Sequence, residues 1–444
     1  MRAPSQILES AWAIAILIAL VPTPEASAQV QRVSVGVAGV ESNADSYDAA
    51  VSDNGQVIAF RSTASNLVAG DNNKWPDIFV RDLGNTTTTM VSGQVTPASA
   101  RYSLYPTISD DGQIVVMNTD FGYSAIVVHD RSSGISTITL PPSIYYAVYG
   151  RLEPSVSGNG QFIAFYSDGT MADTNPPEAQ STDPDTNQTI DAFVYDRVSV
   201  PIVPVRMVSR NSANVQGVGD SFSPTLSDDG RYVAFYSYAN NLVAGDSNEH
   251  EDIFVKDRQT GGVVMASVAS DGTIGNDDSY KPVIAGAGRY VVFRSQASNL
   301  VAGDSNKHWD IFVRDLTLGT TIRVSVSSSG AQSNHDSFEA DISDDGRYVV
   351  FRSNASNLVA DDTNKRFDVF VHDRQSSQTV RVSKPASGES NGHSYSPAIS
   401  GDGQWIVFES DATNLVAGDS NAARDIFRVA NPLAPGGAVN TGGN

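Results

Sequence analysis

Cysteine is absent from all 444 residues. That excludes thiol nucleophiles, thiolate metal centres and any disulfide frame, and leaves packing, helped by ions, to hold the fold. Positive charge is scarce as well. Against 50 Asp and Glu stand 29 Lys and Arg, for a net charge of −21. Nucleic acid and anionic membrane surfaces require a basic footprint, so neither is an expected partner; cations and basic protein surfaces are. Long apolar runs are missing too. Ala11 to Val21 is the one that comes nearest, and it is too short for a comfortable membrane span. No window holds sustained helical periodicity.

That run follows Arg2 and precedes the small-residue cleavage pattern Ala26-Ser27-Ala28. Residues 1–28 therefore read as a signal peptide, and the chain as an exported, monomeric protein of the periplasm or the extracellular medium that begins near Gln29.

What the chain has in abundance is repetition. Gly245-Asp246-Ser247-Asn248 with Asp252-Ile253-Phe254-Val255 returns as Gly303-Asp304-Ser305-Asn306 with Asp310-Ile311-Phe312-Val313, a period of about 58 residues. Each unit keeps a fixed order of signals. Arg-Val-Ser-Val (323–326) leads to Asp336-Ser337-Phe338, then to the turn Ser343-Asp344-Asp345-Gly346. Arg-Tyr-Val-Val-Phe-Arg-Ser (347–353) follows, then the acidic loop, then Asp-Ile-Phe-Val or a close variant. Four short segments rich in Val, Ile, Phe and Tyr, separated by Asp, Gly, Ser and Asn, are strands joined by turns. Asp-Asp-Gly between two apolar runs is a tight hairpin.

Four antiparallel strands repeated radially make a propeller blade. The second-strand core position recurs as Phe60, Met117, Phe165, Phe235, Phe293, Phe351 and Phe408, which gives seven blades. The second unit has lost its acidic loop, and the third carries a Pro/Asp/Thr-rich insertion, Asp173 to Thr189, expected to be mobile. Arg32-Val33-Ser34-Val35 matches a fourth strand with no first three before it, and Asp425-Ile426-Phe427-Arg428 is a third strand with no fourth after it. The reading is an all-β, seven-bladed β-propeller of four-stranded antiparallel blades over residues 29–430. An N-terminal strand completes the last blade and removes the exposed edges; residues 431–444 form a disordered tail.

The Ser-x-Asp-Gly-x-x-Val-x-Phe…Asp-Ile-Phe-Val-x-Asp unit resembles the TolB-type, or WD-like, propeller repeat of bacterial envelope and secreted proteins. The resemblance covers most of residues 30–430 and implies the fold. It leaves function open, because the family spans binding scaffolds, periplasmic complex components and the propeller domains of some peptidases.

Strand order places the acidic loops and the Asp-Ser-Tyr stretches on one face and the Asp-Asp-Gly turns on the other. One rim then gathers Asp71, Asn73, Asp77, Asp185, Asn187, Asp191, Asp246, Asn248, Asp252, Asp304, Asn306, Asp310, Asp362, Asn364, Asp368, Asp419, Asn421 and Asp425, with Asp45, Asp220, Asp278 and Asp336 beside them. Asp-x-Asn-x-x-x-Asp offers hard oxygen ligands at alternate loop positions, as calcium sites do, although the distal Glu and central Gly of an EF-hand are missing. The competing reading is that these groups bond nearby backbone N–H groups as Asx turns. Arg61, Arg294 and Arg352 follow the second-strand Phe and are expected to neutralise the loop aspartates. That makes the blades with Tyr166, Tyr236 and Glu409 there the better calcium candidates. The six histidines occur singly and read as exposed loop residues.

Acids that repeat nearly identically suit a scaffold better than an enzyme site. The expectation is a non-enzymatic propeller that binds a protein or other ligand through its loop face, with calcium as the candidate ion and no catalytic residues assigned. The alternative is a metal-assisted hydrolase or lyase acting on a glycan or lactone. A non-repeating acid pair in the central channel would favour it.

Overall fold

The computed structural model describes residues 29–94, 101–121, 124–138, 153–167, 185–198 and 205–436. The expected signal peptide, residues 173–184 of the insertion and residues 437–444 of the tail lie outside them. Among the described residues no helix is long and apolar enough to cross a membrane.

Seven four-stranded antiparallel sheets follow one another along the chain. Blade five shows the pattern: Ser279–Ala285, Tyr290–Ser295, Asp310–Asp315 and Thr320–Arg323 pair in sequence order. The second and third strands are near-continuous apolar runs because both of their faces are covered by neighbouring blades. Phe293 and Phe312 are fully buried, with ring centroids 5.9 Å apart, and the corresponding pair stacks at 5.7–5.9 Å in blades one, three, four, six and seven. Each apolar cluster joins two adjacent blades: Ile311 and Val313 pack with Val349, Phe351 and Phe370. The core is thus distributed between blades, and truncating one such Phe is expected to remove about 3–5 kcal/mol.

The ring closes through its termini. Gln31 and Arg32 pair with Arg428 and Phe427, and Val33 N–H donates to Ile426 O at 2.7 Å, so the N-terminal strand supplies the fourth strand of blade seven. Blade two keeps its four strands although its acidic loop is gone. The expected tail starts too early at 431. Asn431 and Ala434 are buried, Asn431 Nδ2 donates to Gly403 O at 2.8 Å, and Tyr348 OH donates to Leu433 O at 3.1 Å. Apolar Leu433 and Ala434 cover the end of the last core cluster, which a Pro/Gly composition concealed.

Candidate functional site

The acidic loops do lie together on one rim, as a structural lattice. In each of the six blades that carry it, the Ser two residues after the fourth strand donates to the Asp that opens the third strand; Ser267 Oγ to Asp252 and Ser383 Oγ to Asp368 are both 2.6 Å. The same hydroxyl accepts the next backbone N–H, as Ser267 does from Ile253 at 3.0 Å. The loop Asn donates its amide to that Asp: Asn73 to Asp77, Asn248 to Asp252 and Asn306 to Asp310 at 2.8 Å, Asn364 to Asp368 at 2.7 Å and Asn421 to Asp425 at 3.1 Å. Asn187 donates to Gly217 O at 2.8 Å, as Asn248 and Asn306 also do to Gly275 O and Ser333 O. Every loop Asn also accepts the N–H two residues on. These are Asx turns. The leading aspartates Asp71, Asp185 and Asp246 are pushed above the usual carboxylate range by burial.

The expected neutralising arginines do not reach this rim. Arg61 pairs with Asp48 at 2.9 Å and Arg352 with Glu339 at 3.2 Å, both toward the axis. The reason is strand alternation: these residues sit next to the buried Phe, on the opposite face of the sheet. The guanidinium on the rim comes instead from the fourth strand, opposite the third-strand Phe and on the same face as the loop Asp. Arg323 binds Asp304 at 2.9 Å and Asp310 at 3.2 Å. Arg381 binds Asp362, Asp368 and Glu389 at 3.0, 3.3 and 2.8 Å. Arg32 binds Asp419 at 3.1 Å and Asp425 at 3.4 Å and contacts Glu41. Blades one, three and four carry Met90, Met207 and Met265 at that register position. In blade three Asp185 and Asp191 each keep a buried carboxylate oxygen without a hydrogen-bond partner, with Arg210 near enough to act on both charges. Of the six blades with an acidic loop, those without a guanidinium at that register position are therefore one, three and four, not three, four and seven.

The histidines also divide. His250 and His308 are rim residues bonded to Asp278 at 2.7 Å and Asp336 at 3.0 Å. His129 and His372 are buried in third strands and not exposed as expected; burial drives His372 down to about 4, beside Thr379 Oγ1 at 2.9 Å.

A second ring lies inside the first. The first strand of each blade borders the central channel and opens Ser-aromatic-x-Pro or a variant. At x, six blades show a register shift of one residue, a β-bulge. All seven put a non-glycine residue at positive φ there: Asp48 (53°), Tyr105 (52°), Glu153 (31°), Ser223 (45°), Lys281 (51°), Glu339 (48°) and Ser396 (43°). Such a conformation costs about 1–2 kcal/mol per residue, and a bulge re-aims a side chain. These seven side chains line a cavity of about 500 Å³ at the loop-face end of the channel. The following residue is Pro in five blades, which suits an inner edge strand that has no partner for an N–H.

Unlike the loop aspartates, these residues differ from blade to blade. Lys281 Nζ contacts Glu153 Oε2 at 2.7 Å and Ser223 Oγ at 3.0 Å, and Ser223 Oγ donates to Glu153 at 3.0 Å. Behind them runs a belt of rings and guanidinium groups. Tyr166, Phe222, Tyr236, Tyr280 and Trp309 make successive contacts at 5.2–5.5 Å; Arg352 and Arg424 lie over Phe367 and Tyr395. Blade seven places Glu409 where the arginines stand. It is buried, and burial raises it to about 7 although it accepts the Asp48 N–H at 2.6 Å and lies 3.4 Å from Arg424.

The opposite end of the channel is narrow. Asp53, Asp110, Asp228 and Asp344 alternate there with Gly158, Gly286 and Gly401 in a belt of backbone bonds between blades, such as Asp110 N–H to Gly158 O at 3.0 Å. A Cβ on Gly401 would stand 2.5 Å from both Asp53 Oδ1 and Asp344 Oδ2, so the floor has room for only some of the seven side chains. Burial and mutual repulsion push Asp110 and Asp228 to about 6 and Asp344 to about 7.

No family model and no curated protein matches the sequence. Among solved structures the chain is similar to an oligogalacturonate lyase in complex with manganese, at 11% identity over 91% of this chain and 94% of that one, TM-score 0.53. It is similar to the β-propeller domain of the Trilobed protease from Pyrococcus furiosus, at 11% identity over 87% and 95%, TM-score 0.52. TolB from Acinetobacter baumannii matches at 15% identity over 78% and 67%, TM-score 0.43. The likeness is one of fold: a β-propeller. The Pyrococcus domain is described as having an open velcro topology, whereas the strand exchanged between the termini closes the ring here.

Sequence reasoning stopped one residue short of the inner ring. Asp-Ser-Tyr and its variants read as punctuation, yet the next residue is the one that changes charge and size between blades while its neighbours stay fixed. That contrast, together with the proline after it, was the available signal.

Proposed function

We propose that this chain is an exported propeller that binds a ligand in the loop-face mouth of its channel and acts as a binding protein. The observation that carries the reading is the ring of seven non-repeating side chains at positive φ around the cavity. Unfavourable backbone retained at a concave, chemically varied surface supports a site, whereas the rim aspartates have internal partners. Within this reading calcium is a structural ion for the loops of blades one, three and four, where methionine replaces the guanidinium. Thermal shift with small glycans and short peptides tests the mouth. A ligand of the channel should stabilise the wild type and not Ser396→Trp, which fills the cavity. Equal shifts in both proteins contradict the reading.

A second reading, hydrolysis or elimination on a glycan or lactone, is favoured by one pair. Asp48 is ion-paired with Arg61, while Glu409 beside it is raised to about 7, and neighbouring carboxyls in unlike environments can divide acid and base roles. Weighing against it, Glu409 is 2% exposed. Ser223 and Lys281 do not form a nucleophile and base, since the Ser223 hydroxyl donates to Glu153 and Lys281 Nζ is ion-paired with that same carboxylate. Loss of a measured turnover in Glu409→Gln would establish the enzyme; turnover unchanged by it would remove this pair.

A further inference from the structure

The repeat pairs an acid with an arginine across the first two strands of a blade. In blade one Asp48 is held by Arg61, and in blade six Glu339 is held by Arg352. Blade five keeps the arginine, Arg294, but has Lys281 at the acid position. Lys281 reaches across the channel mouth to Glu153 and Ser223, and Arg294 is left without its acid. Among the described residues it has no ion pair or hydrogen bond, and its Nε is buried without a partner. Glu339, an acid near enough to act on it, is already engaged by Arg352 and by the Ser396 N–H at 2.9 Å.

The guanidinium is nonetheless held in place. Its central carbon lies 5.4, 5.2 and 5.6 Å from the ring centroids of Tyr280, Trp309 and Phe338, and it lines the cavity. A guanidinium fixed by aromatic faces presents a planar fork of N–H donors and does not have to be ordered when an acceptor arrives.

We propose that Arg294 receives a carboxylate of the channel ligand. The inference rests on the channel mouth being the ligand site and adds the chemical class. A singly charged carboxylate fits better than a phosphate dianion. The fork matches both, but four aspartates lie at the channel floor and the chain carries a net charge of −21, which disfavours added negative charge. The carboxylate could belong to a sugar acid or to a peptide.

The test follows the Arg294 Nε–H resonance in the full chain, assigned by its loss in Arg294→Gln. Glucuronate is titrated against glucose, and N-acetylglycine against N-acetylglycinamide. The expected result is a saturable shift with one or both carboxylates and none with their neutral counterparts, and the arm that responds names the source. Affinity should fall at least about tenfold in Arg294→Gln. Lys281→Glu, which restores the acid of blades one and six, should remove binding from the other side. No shift with either carboxylate, an equal shift with the neutral compounds, or undiminished binding by Arg294→Gln overturns the inference. If neutral compounds alone perturb the Trp309 indole, the carboxylate seat fails and the channel reading survives; if no compound perturbs it, both fall.

Discussion

The rim of loop aspartates and the ring of channel residues come from the same repeat and encircle the same axis, yet they obey opposite rules. On the rim the residue is kept and the partners are kept: Asp252, Asp310 and Asp368 each meet a Ser hydroxyl, an Asn amide and a backbone turn. In the channel the backbone conformation is kept and the residue is not. Lys281, Glu339 and Ser396 share one φ region and differ in charge. A group that every blade needs belongs to the blade. A group that varies on an unfavourable backbone belongs to whatever enters the channel.

The largest effect that can break this comparison is on the rim. Asp310→Ala leaves Arg323 buried with only Asp304 near it and is expected to lower stability by about 3–5 kcal/mol, measured by urea unfolding. A loss below about 1 kcal/mol would mean that the rim lattice is dispensable. Next in size, Arg323→Met gives blade five the arrangement of blades one and four. Stability should fall by about 1–3 kcal/mol, with part of it restored by millimolar calcium and removed again by chelator; a melt indifferent to calcium would detach calcium from the rim altogether.

The third expectation concerns pH. The floor carboxyls Asp110, Asp228 and Asp344 bind protons more tightly folded (about 6, 6 and 7) than unfolded (near 3.8). Between those values the folded state holds more protons than the unfolded one, so this contribution to stability rises as pH falls from about 8 to about 5. Asp344→Asn should flatten the slope in thermal melts across that window. An unchanged slope would show that the floor charges do not repel as described.

Much of the fold was legible from local chemistry. Asp-Asp-Gly, Tyr-Val-Val-Phe and Asp-Ile-Phe-Val each specify one turn or one doubly covered strand, and the orphan segments near Arg32 and Ile426 specify the closure. The partners of the arginines were not legible, because adjacent residues on a strand face opposite sides and sequence proximity of Arg294 to Phe293 says nothing about the loop it was expected to meet. The inner ring was hidden for a related reason. A one-residue bulge turns Lys281 and its counterparts toward the axis, and no residue type at positive φ other than glycine or asparagine announces itself.

The most direct measurement compares two variants in one experiment, recording melting temperature and carboxylate affinity for Ser325→Ala and Arg294→Gln. Ser325→Ala removes a rim hydroxyl that bonds Asp310 and the Ile311 N–H. It should lower the melt by about 1–3 °C, taking about 1 °C per kcal/mol for a chain of this length, and leave affinity unchanged. Arg294→Gln should hold the melt within about 1 °C and reduce affinity at least about tenfold. The opposite pattern, or the two quantities falling together in both variants, would contradict the division between a structural rim and a binding channel.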